Sequence, residues 1–476
     1  MEPIDSARRP LAPLGSAIRG LVPGGCPRPP PPARQRPARV DAAPQGGRTV
    51  TDPVDLAVVG GGPAGVATLL AAETLAPDWR VAGWRGTVPG FLPAYGGNDP
   101  VHRLNVAVER MGLDAAAPID FYDWLQAVHP ERRVRPGDFV PRAWFGEYLA
   151  HRAASVRAGV RPEAVVALDR CAGGWRLQGA GGDKLVARRV ALCLGMPAGV
   201  PMPGASSPWV GDPWAWWRAH QGAPLPLAPS DRVLVVGSGL TAVDMVLGLR
   251  ARGFAGPIEV VSTGGRWSTA HAPAPPLDPE ARDRLDDALD AATGARGTMR
   301  VLRRFAAEHP WRAVVDALRA DTNARWAALG LEEQRRVMRH AFGLWNRHRH
   351  RMAPDVLATL EADRALRLRP GRIAVEDGGR IVLRHAGRTE ALDAALVLDC
   401  RGPGFRAALA GDSLLARLVR DGVLQAHPLG TGVQTPADPT LAVLGAARFG
   451  ECFETTAVPE LRQQAVAVVA RWVEGA

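Results

Sequence analysis

Val58-Val59-Gly60-Gly61-Gly62-Pro63-Ala64-Gly65 closes an apolar run led by Asp55, and Val235-Val236-Gly237-Ser238-Gly239-Leu240-Thr241-Ala242 closes a second run led by Asp231. Each stretch then opens an apolar helical pattern. The first glycine of such a turn lets the chain leave a strand sharply, and the second lets the backbone approach a pyrophosphate. The third position must be small, as Gly65 and Ala242 are, so that helix and strand can pack. The pyrophosphate rests on amides at the helix N-terminus, where the dipole favours negative charge. One such turn is also met as a plain strand–turn–helix connection. Two built alike in one chain suggest a protein that holds two dinucleotides, one to carry electrons and one to supply them.

Outward from the first turn, strand Leu56 to Val59, a helix from about Ala64 to Leu75 and a strand near Arg80 to Trp84 make a βαβ opening. Val190 to Leu194 reads as an apolar strand, Pro201 to Pro229 as a connection, and Val233 to about Val261 as a second βαβ unit. Asp278-Pro279-Glu280 starts a helix with a capping residue followed by proline at the first position. Helical spacing continues through Trp311 to Leu318 and Glu332 to Trp345. Ala394 to Leu398 is strand-like, and a last helix runs from about Pro459 to Trp472.

The chain of 476 residues is long enough for two or three cored domains. Its net charge of +10 rests on arginine, Lys184 being the single lysine. That is the mark of a GC-rich genome, and no basic run interleaved with aromatics accompanies it, so no nucleic-acid partner is expected. No apolar stretch is long enough to span a bilayer, so no membrane partner is expected either. Cys26, Cys171, Cys193, Cys400 and Cys452 are scattered with no CxxC, which argues against a redox disulfide and a metal site. A reducing cytoplasm is the expected compartment. Residues 1–50, rich in Pro and Arg, are expected to be a disordered tail. The Arg8-Arg9 pair lacks the apolar region of an export signal, and a start at Val50 would leave residues 1–49 untranslated.

From residue 55 onward the chain resembles bacterial FAD/NAD(P)-binding proteins, relatives of the two-dinucleotide flavoprotein oxidoreductases and the flavin monooxygenases. Beyond the two turns, the resemblance is carried by Ala94-Tyr95-Gly96, His102-Arg103-Leu104-Asn105-Val106 and Phe121-Tyr122-Asp123-Trp124-Leu125. Further blocks are Trp311 to Asp316, His348-Arg349-His350-Arg351-Met352-Ala353-Pro354, Arg448 to Glu451, and Glu454-Thr455-Thr456-Ala457-Val458-Pro459-Glu460-Leu461. The resemblance implies an α/β fold with two Rossmann-like dinucleotide-binding domains, for FAD and NAD(P)H, the second inserted in the first, and an added helical region. The expected boundaries are 51–210 and 386–476 for the FAD domain and 211–385 for the NAD(P)H domain, with the helical insertion at about 276–354.

The resemblance further implies non-covalent FAD at Gly60, Gly62, Gly65, Tyr95, Asn105, Thr455 and Thr456, the helix N-terminus around Thr455 to Pro459 facing the flavin pyrimidine. It implies NAD(P)H at Gly237, Gly239, Leu240 and Thr241. A Rossmann unit usually ends its second strand in an acid for the ribose; Arg85 stands there in the first unit. In the second unit Ser262 and Arg266 suit a 2′-phosphate, so NADPH is expected over NADH. Asn105, Glu454 and Thr455 are the catalytic candidates. Glu460 is open to an acid/base role or to helix-start chemistry. His348, Arg349, His350 and Arg351 are read either as an anion or substrate site or as an ordinary basic helix end. Asp244 is read as a solvent-facing or capping carboxylate or as a domain-junction residue, and Trp209, Trp214, Trp216 and Trp217 as packing of the interdomain connection.

The expected activity is that of an FAD-dependent oxidoreductase fed by NAD(P)H, in its most concrete form a monooxygenase acting on a small nucleophile such as an amine. A reductase or dehydrogenase without oxygen insertion is the alternative among enzymes. A flavin- or nucleotide-bound sensor without turnover, favoured by Arg85 in place of the acid, is the alternative of another class.

Overall fold

The computed structural model describes residues 53–86, 95–96 and 99–475. The tail and the start site discussed above lie outside the described residues. Strands Val54–Val59 and Val233–Val236 each sit inside a parallel sheet. Leu56 and Val58 enter one core while Ala57 and Val59 enter another. Val233 and Val235 likewise part from Leu234 and Val236. Side chains alternate faces along a strand, and a strand covered on both faces must be apolar throughout. That is why both runs lack the usual polar alternation.

The first sheet runs Gly159–Arg161, Val81–Trp84, Val54–Val59, Lys184–Leu192, Gly174–Gly179, Val165–Cys171. Leu441–Val443 lies alongside the end of Lys184–Leu192. The portion around the glycine turn is parallel, and the last three strands form an antiparallel meander. The second sheet is parallel, in the order Leu366–Pro370, Ile258–Ser262, Val233–Val236, Leu396–Asp399, Trp209–Val210. Its strands fall in the chain between Lys184–Leu192 and Leu441–Val443, so the second Rossmann-like unit is inserted in the first. A three-stranded antiparallel sheet, Arg372–Val375, Ile381–His385 and Arg388–Ala391, covers one face of the second sheet through Ile373, Ile381 and Leu383.

The second sheet reaches past the boundaries expected at 211 and 385, because Trp209–Val210 and Leu396–Asp399 both pair within it. A short apolar run does not declare which of two similar parallel sheets it joins. The helical insertion, from Pro279–Asp290 to Phe342–Arg349, leaves and returns between Ile258–Ser262 and Leu366–Pro370. It starts as its sequence dictates: Asp278 Oδ1 accepts from the Ala281 amide at 2.7 Å, and Pro279 follows the cap. The helix expected over 332–345 is instead Leu331–Arg336 and Phe342–Arg349, joined by a π turn at Val337–Ala341. The last helix, Val458–Glu474, packs Val458, Leu461, Ala465 and Val469 into the core shared with helix Pro63–Leu75. Among the described residues no helix is long and apolar enough to cross a membrane.

Candidate dinucleotide sites

Both glycine turns are set by backbone geometry. Gly60 has φ +121° and Gly237 φ +107°, conformations that L side chains rarely adopt. A Cβ on Gly60 would overlap the Cys193 carbonyl oxygen, and one on Gly237 would lie 2.5 Å from the Cys400 carbonyl oxygen. A Cβ on Gly65 would overlap the Gly60 carbonyl, which accounts for the small third position. Gly62 and Gly239 cap helices Pro63–Leu75 and Leu240–Ala251 with the same φ of −76° and ψ of −177°, and neither helix start receives a side-chain cap. The first-turn amides are thus left for an anion. Above Gly239 a Cβ would meet nothing within 4 Å, so that turn opens to space.

Thr455 stands beside the first turn. It is fully buried; its hydroxyl donates to the Gly445 carbonyl at 3.0 Å and accepts from Gln464 Nε2 at 2.8 Å. A Cβ on Gly445 would lie 3.7 Å from Ala64 Cβ, so Gly445 connects Thr455 to the start of helix Pro63–Leu75. Half-buried Thr456 follows in the same segment, and helix Val458–Glu474 begins with no side-chain cap. Gly60, Gly62, Gly65, Thr455 and Thr456 therefore gather at one place.

The helical insertion grips the same segment from the other side. Asn323 brackets Glu454 reciprocally, its Nδ2 donating to the Glu454 carbonyl and its Oδ1 accepting the Glu454 amide, both at 2.8 Å. The Glu454 carboxylate, 4% exposed, accepts from Trp345 Nε1 at 3.0 Å and lies 3.3 Å from Arg349 Nη2. The same Arg349 nitrogen is 3.3 Å from Glu460, which also pairs with Arg319 at 2.8 Å. Burial raises the Glu454 carboxyl above its usual range, with Arg349 pulling the other way. Phe453 stacks on Trp326 at 4.6 Å and packs against Phe342 and Trp345.

Of the two readings of residues 348–351, this arrangement favours the basic helix end over the anion site. Arg349 is taken by Glu454 and Glu460, and Arg351, 5% exposed, lies 2.9 Å from Asp316. His350 Nδ1 lies 2.6 Å from Asn346 Oδ1, and desolvation pushes its imidazole down to about 4. His348 Nδ1 is engaged with the Leu344 carbonyl at 2.8 Å. The cluster meets its charge inside the chain, because its two arginines point to different carboxylates rather than to a common opening.

Tyr95 and Asn105 lie at the junction of the two units. The Tyr95 ring packs on Phe145 at 4.9 Å, and the Tyr95 phenol lies in the field of Arg142 and Asp244. Asn105 shares a small cavity with Leu240 and Asp244 of the second unit, and its carbonyl lies 3.0 Å from His271 Nε2. Of the four tryptophans, Trp214 and Trp217 flank His102 edge-on, and Trp209 belongs to the second sheet. At the second turn, Ser238 Oγ bonds Ser262 Oγ at 2.9 Å and the Arg266 carbonyl at 2.8 Å, which ties turn to strand end. Thr241 follows Leu240 at the start of the second helix, and the Arg266 side chain is exposed. Arg85 abuts the first turn so closely that a Cβ on Gly61 would meet its Cβ. The backbone geometry of the turn is thus that of a strand–turn–helix cradle, and Arg85 stands where a Rossmann unit usually carries an acid.

Cys193 walls the first turn through its carbonyl. Its thiol is buried, 3.8 Å from the Thr68 hydroxyl, and burial pushes it up to about 12. We expect iodoacetamide to leave Cys193 unmodified in the folded protein at mildly alkaline pH, and mass mapping checks this. Rapid labelling would contradict the burial.

The comparisons agree with this geometry. Residues 57–197 match the FAD-NAD(P)-binding family model. That segment spans the first turn and the strands of the first sheet from Ala57 to Leu192, leaving out Leu441–Val443. No curated protein matches the chain. Among solved structures, the chain is similar to the Kutzneria sp. 744 ornithine N-hydroxylase, solved with reduced FAD, NADP+ and L-ornithine, at TM-score 0.59 and 14% identity. It is also similar to L-lysine 6-monooxygenase from Pseudomonas syringae at TM-score 0.57 and 16% identity, and to ornithine hydroxylase from Pseudomonas aeruginosa at 0.54 and 16%. Each match covers 89% of this chain and 99% of the other. At these identities the likeness establishes the fold alone, that of two sheet-based units with one inserted in the other.

Several residues that build the site carry no local signal. Arg142, Asn323, Trp345 and Arg319 lie more than a hundred positions from the groups they hold. Only the fold brings them there.

Proposed function

We propose that the chain is an FAD-dependent oxidoreductase that takes hydride from NADPH and uses O2 to hydroxylate a small amine. The observation that carries this reading is the pair of glycine turns, alike in backbone, in two separate sheets of one chain, with a helical body reaching the segment beside the first. The three structures of like fold are named as amine hydroxylases or monooxygenases, which supports the choice of substrate class.

Gly60, Gly62 and Gly65 would hold the FAD pyrophosphate on the start of helix Pro63–Leu75. The uncapped start of Val458–Glu474 would stabilise negative charge at the flavin pyrimidine. Gly237, Gly239, Leu240 and Thr241 would hold the second pyrophosphate, with Ser262 and exposed Arg266 placed for a 2′-phosphate. FAD, when bound, supplies the two-electron carrier between nicotinamide and O2. Phe342, Trp345, Phe449 and Phe453 form an apolar wall that excludes water from that side. Overall, NADPH, a proton, O2 and the amine give NADP+, water and the hydroxylamine, one oxygen atom going to nitrogen and one to water.

The test is O2 uptake and hydroxylamine formation by FAD-loaded protein with NADPH, using L-ornithine, L-lysine and simple diamines as probes. Amine-dependent O2 consumption with one hydroxylamine per NADPH is expected. NADPH oxidation that passes to artificial acceptors, with no hydroxylated product from any amine, would mark a reductase instead.

A further inference from the structure

Where the first unit meets the glycine-turn helix of the second, an ion pair is buried. Arg142 opens helix Arg142–Ser155 of the first unit, and its Nη2 lies 2.8 Å from Asp244 Oδ2 in helix Leu240–Ala251 of the second. Their side chains are 13% and 5% exposed. The pair is braced. His102 Nε2 lies 2.9 Å from the Asp244 carbonyl, and the Arg142 amide donates to the His102 carbonyl at 2.8 Å. Asp244 is the one charged residue among the buried positions of that helix, which are otherwise Ala242, Val243, Met245, Val246, Gly248 and Leu249. It stands five residues beyond Gly239, on the helix whose N-terminus forms the second dinucleotide site.

We propose that Arg142 and Asp244 are positioning residues: they fix the second glycine turn, and the nicotinamide it carries, against the flavin side of the first unit. This rests on the dinucleotide reading above. A buried ion pair adds little net stability compared with apolar packing, but parting it would strand a buried charge, so it resists sliding of one unit past the other. Hydride transfer is sensitive to such placement, since a displacement of about 1 Å can cost about a hundredfold in rate.

The groups facing Asp244 are Arg142, His102, Tyr95 from the first unit and Cys400 from the end of its own sheet. Burial pushes the Asp244 carboxyl up to about 6, with Arg142 opposing. Desolvation pushes His102 down to about 4, so it stays neutral while Asp244 titrates. The raised value means that the folded protein binds an extra proton between the ordinary carboxylate range and pH 6. The stability contributed by this group is present at low pH and falls as pH rises through that window. A carboxylate kept ionised at neutral pH against that trend is consistent with positioning rather than with holding the fold.

The test is anaerobic stopped-flow reduction of the FAD-loaded full chain by NADPH, for wild type, Asp244→Asn and Arg142→Lys, on both sides of the Asp244 pKa. For Asp244→Asn we expect the limiting reduction rate to fall about ten- to a hundredfold, with NADPH Kd within about twofold and FAD content unchanged. Arg142→Lys should fall between the two. The wild-type rate should drop as pH falls through about 6, and the Asp244→Asn rate should not. Folded variants that are reduced like wild type overturn the inference alone. So does a wild-type rate that is flat through that pH, a readout that needs no substitution. Wild-type protein that holds no FAD, or whose FAD NADPH does not reduce, overturns the dinucleotide reading and the inference with it.

Discussion

Gly60→Ala is expected to yield a protein that cannot retain FAD. At φ +121° a non-glycine residue is strained by about 1–3 kcal/mol. The added methyl would also overlap the Cys193 carbonyl oxygen. The backbone must therefore move, either away from strand Lys184–Leu192 or into the volume of the pyrophosphate. Both routes spoil the amide cradle at Gly62. The substitution should lower the thermal midpoint and abolish flavin absorbance after gel filtration. Gly239→Ala is the informative contrast, because a Cβ there meets nothing in the protein within 4 Å. It should leave stability near wild type and weaken NADPH binding alone, through contact with the ligand. Gly60→Ala protein that stays yellow and stable would show that the first turn is not the flavin cradle.

Arg349→Met is expected to be the most destabilising single change in the helical insertion. It removes the guanidinium from Glu454, 4% exposed, and from Glu460, 11% exposed. Breaking a buried ion pair from one side costs about 3–5 kcal/mol, because the remaining charge is left uncompensated. The denaturant midpoint should fall accordingly, most at neutral and alkaline pH and least where the Glu454 carboxyl, raised by burial, is protonated. Arg336→Met, which removes an exposed i,i+3 partner of Glu333, should change stability by no more than about 0.5 kcal/mol. In wild type, the raised carboxyl of Glu454 means that its contribution to stability falls as pH rises from the usual carboxylate range through its raised value. Glu454→Gln removes that slope. Flavin loss in Arg349→Met would follow from the loosening of Thr455, which adjoins Glu454 and bonds Gly445.

Much of this was legible in the chain, for identifiable reasons. Glycine turns are local backbone devices, so Gly60, Gly65 and Gly237 declare themselves by type and spacing. The start at Asp278-Pro279 is equally local and is found as expected. The insertion of one sheet in the other was implied by the family resemblance and is found in the order of the strands. What was not legible depends on distant pairing. Leu396–Asp399 joins the second sheet, beyond the expected boundary, and no property of four apolar residues says so. Residues 348–351 stayed open between an anion site and a basic helix end because the arginines' partners, Glu454, Glu460 and Asp316, are far away in sequence. Asp244 looked like either a cap or a junction residue until Arg142 was seen 2.8 Å away. The π turn at Val337–Ala341 also had no signal, since it inserts into an otherwise helical pattern.

The central claim is that one turn holds the electron carrier and the other its donor. Anaerobic addition of NADPH to the purified, FAD-loaded full chain tests it directly. The account predicts that the visible flavin absorbance bleaches within the mixing experiment and returns when air is admitted. A flavin spectrum unchanged by excess NADPH, or protein that takes up no FAD at all, would contradict it.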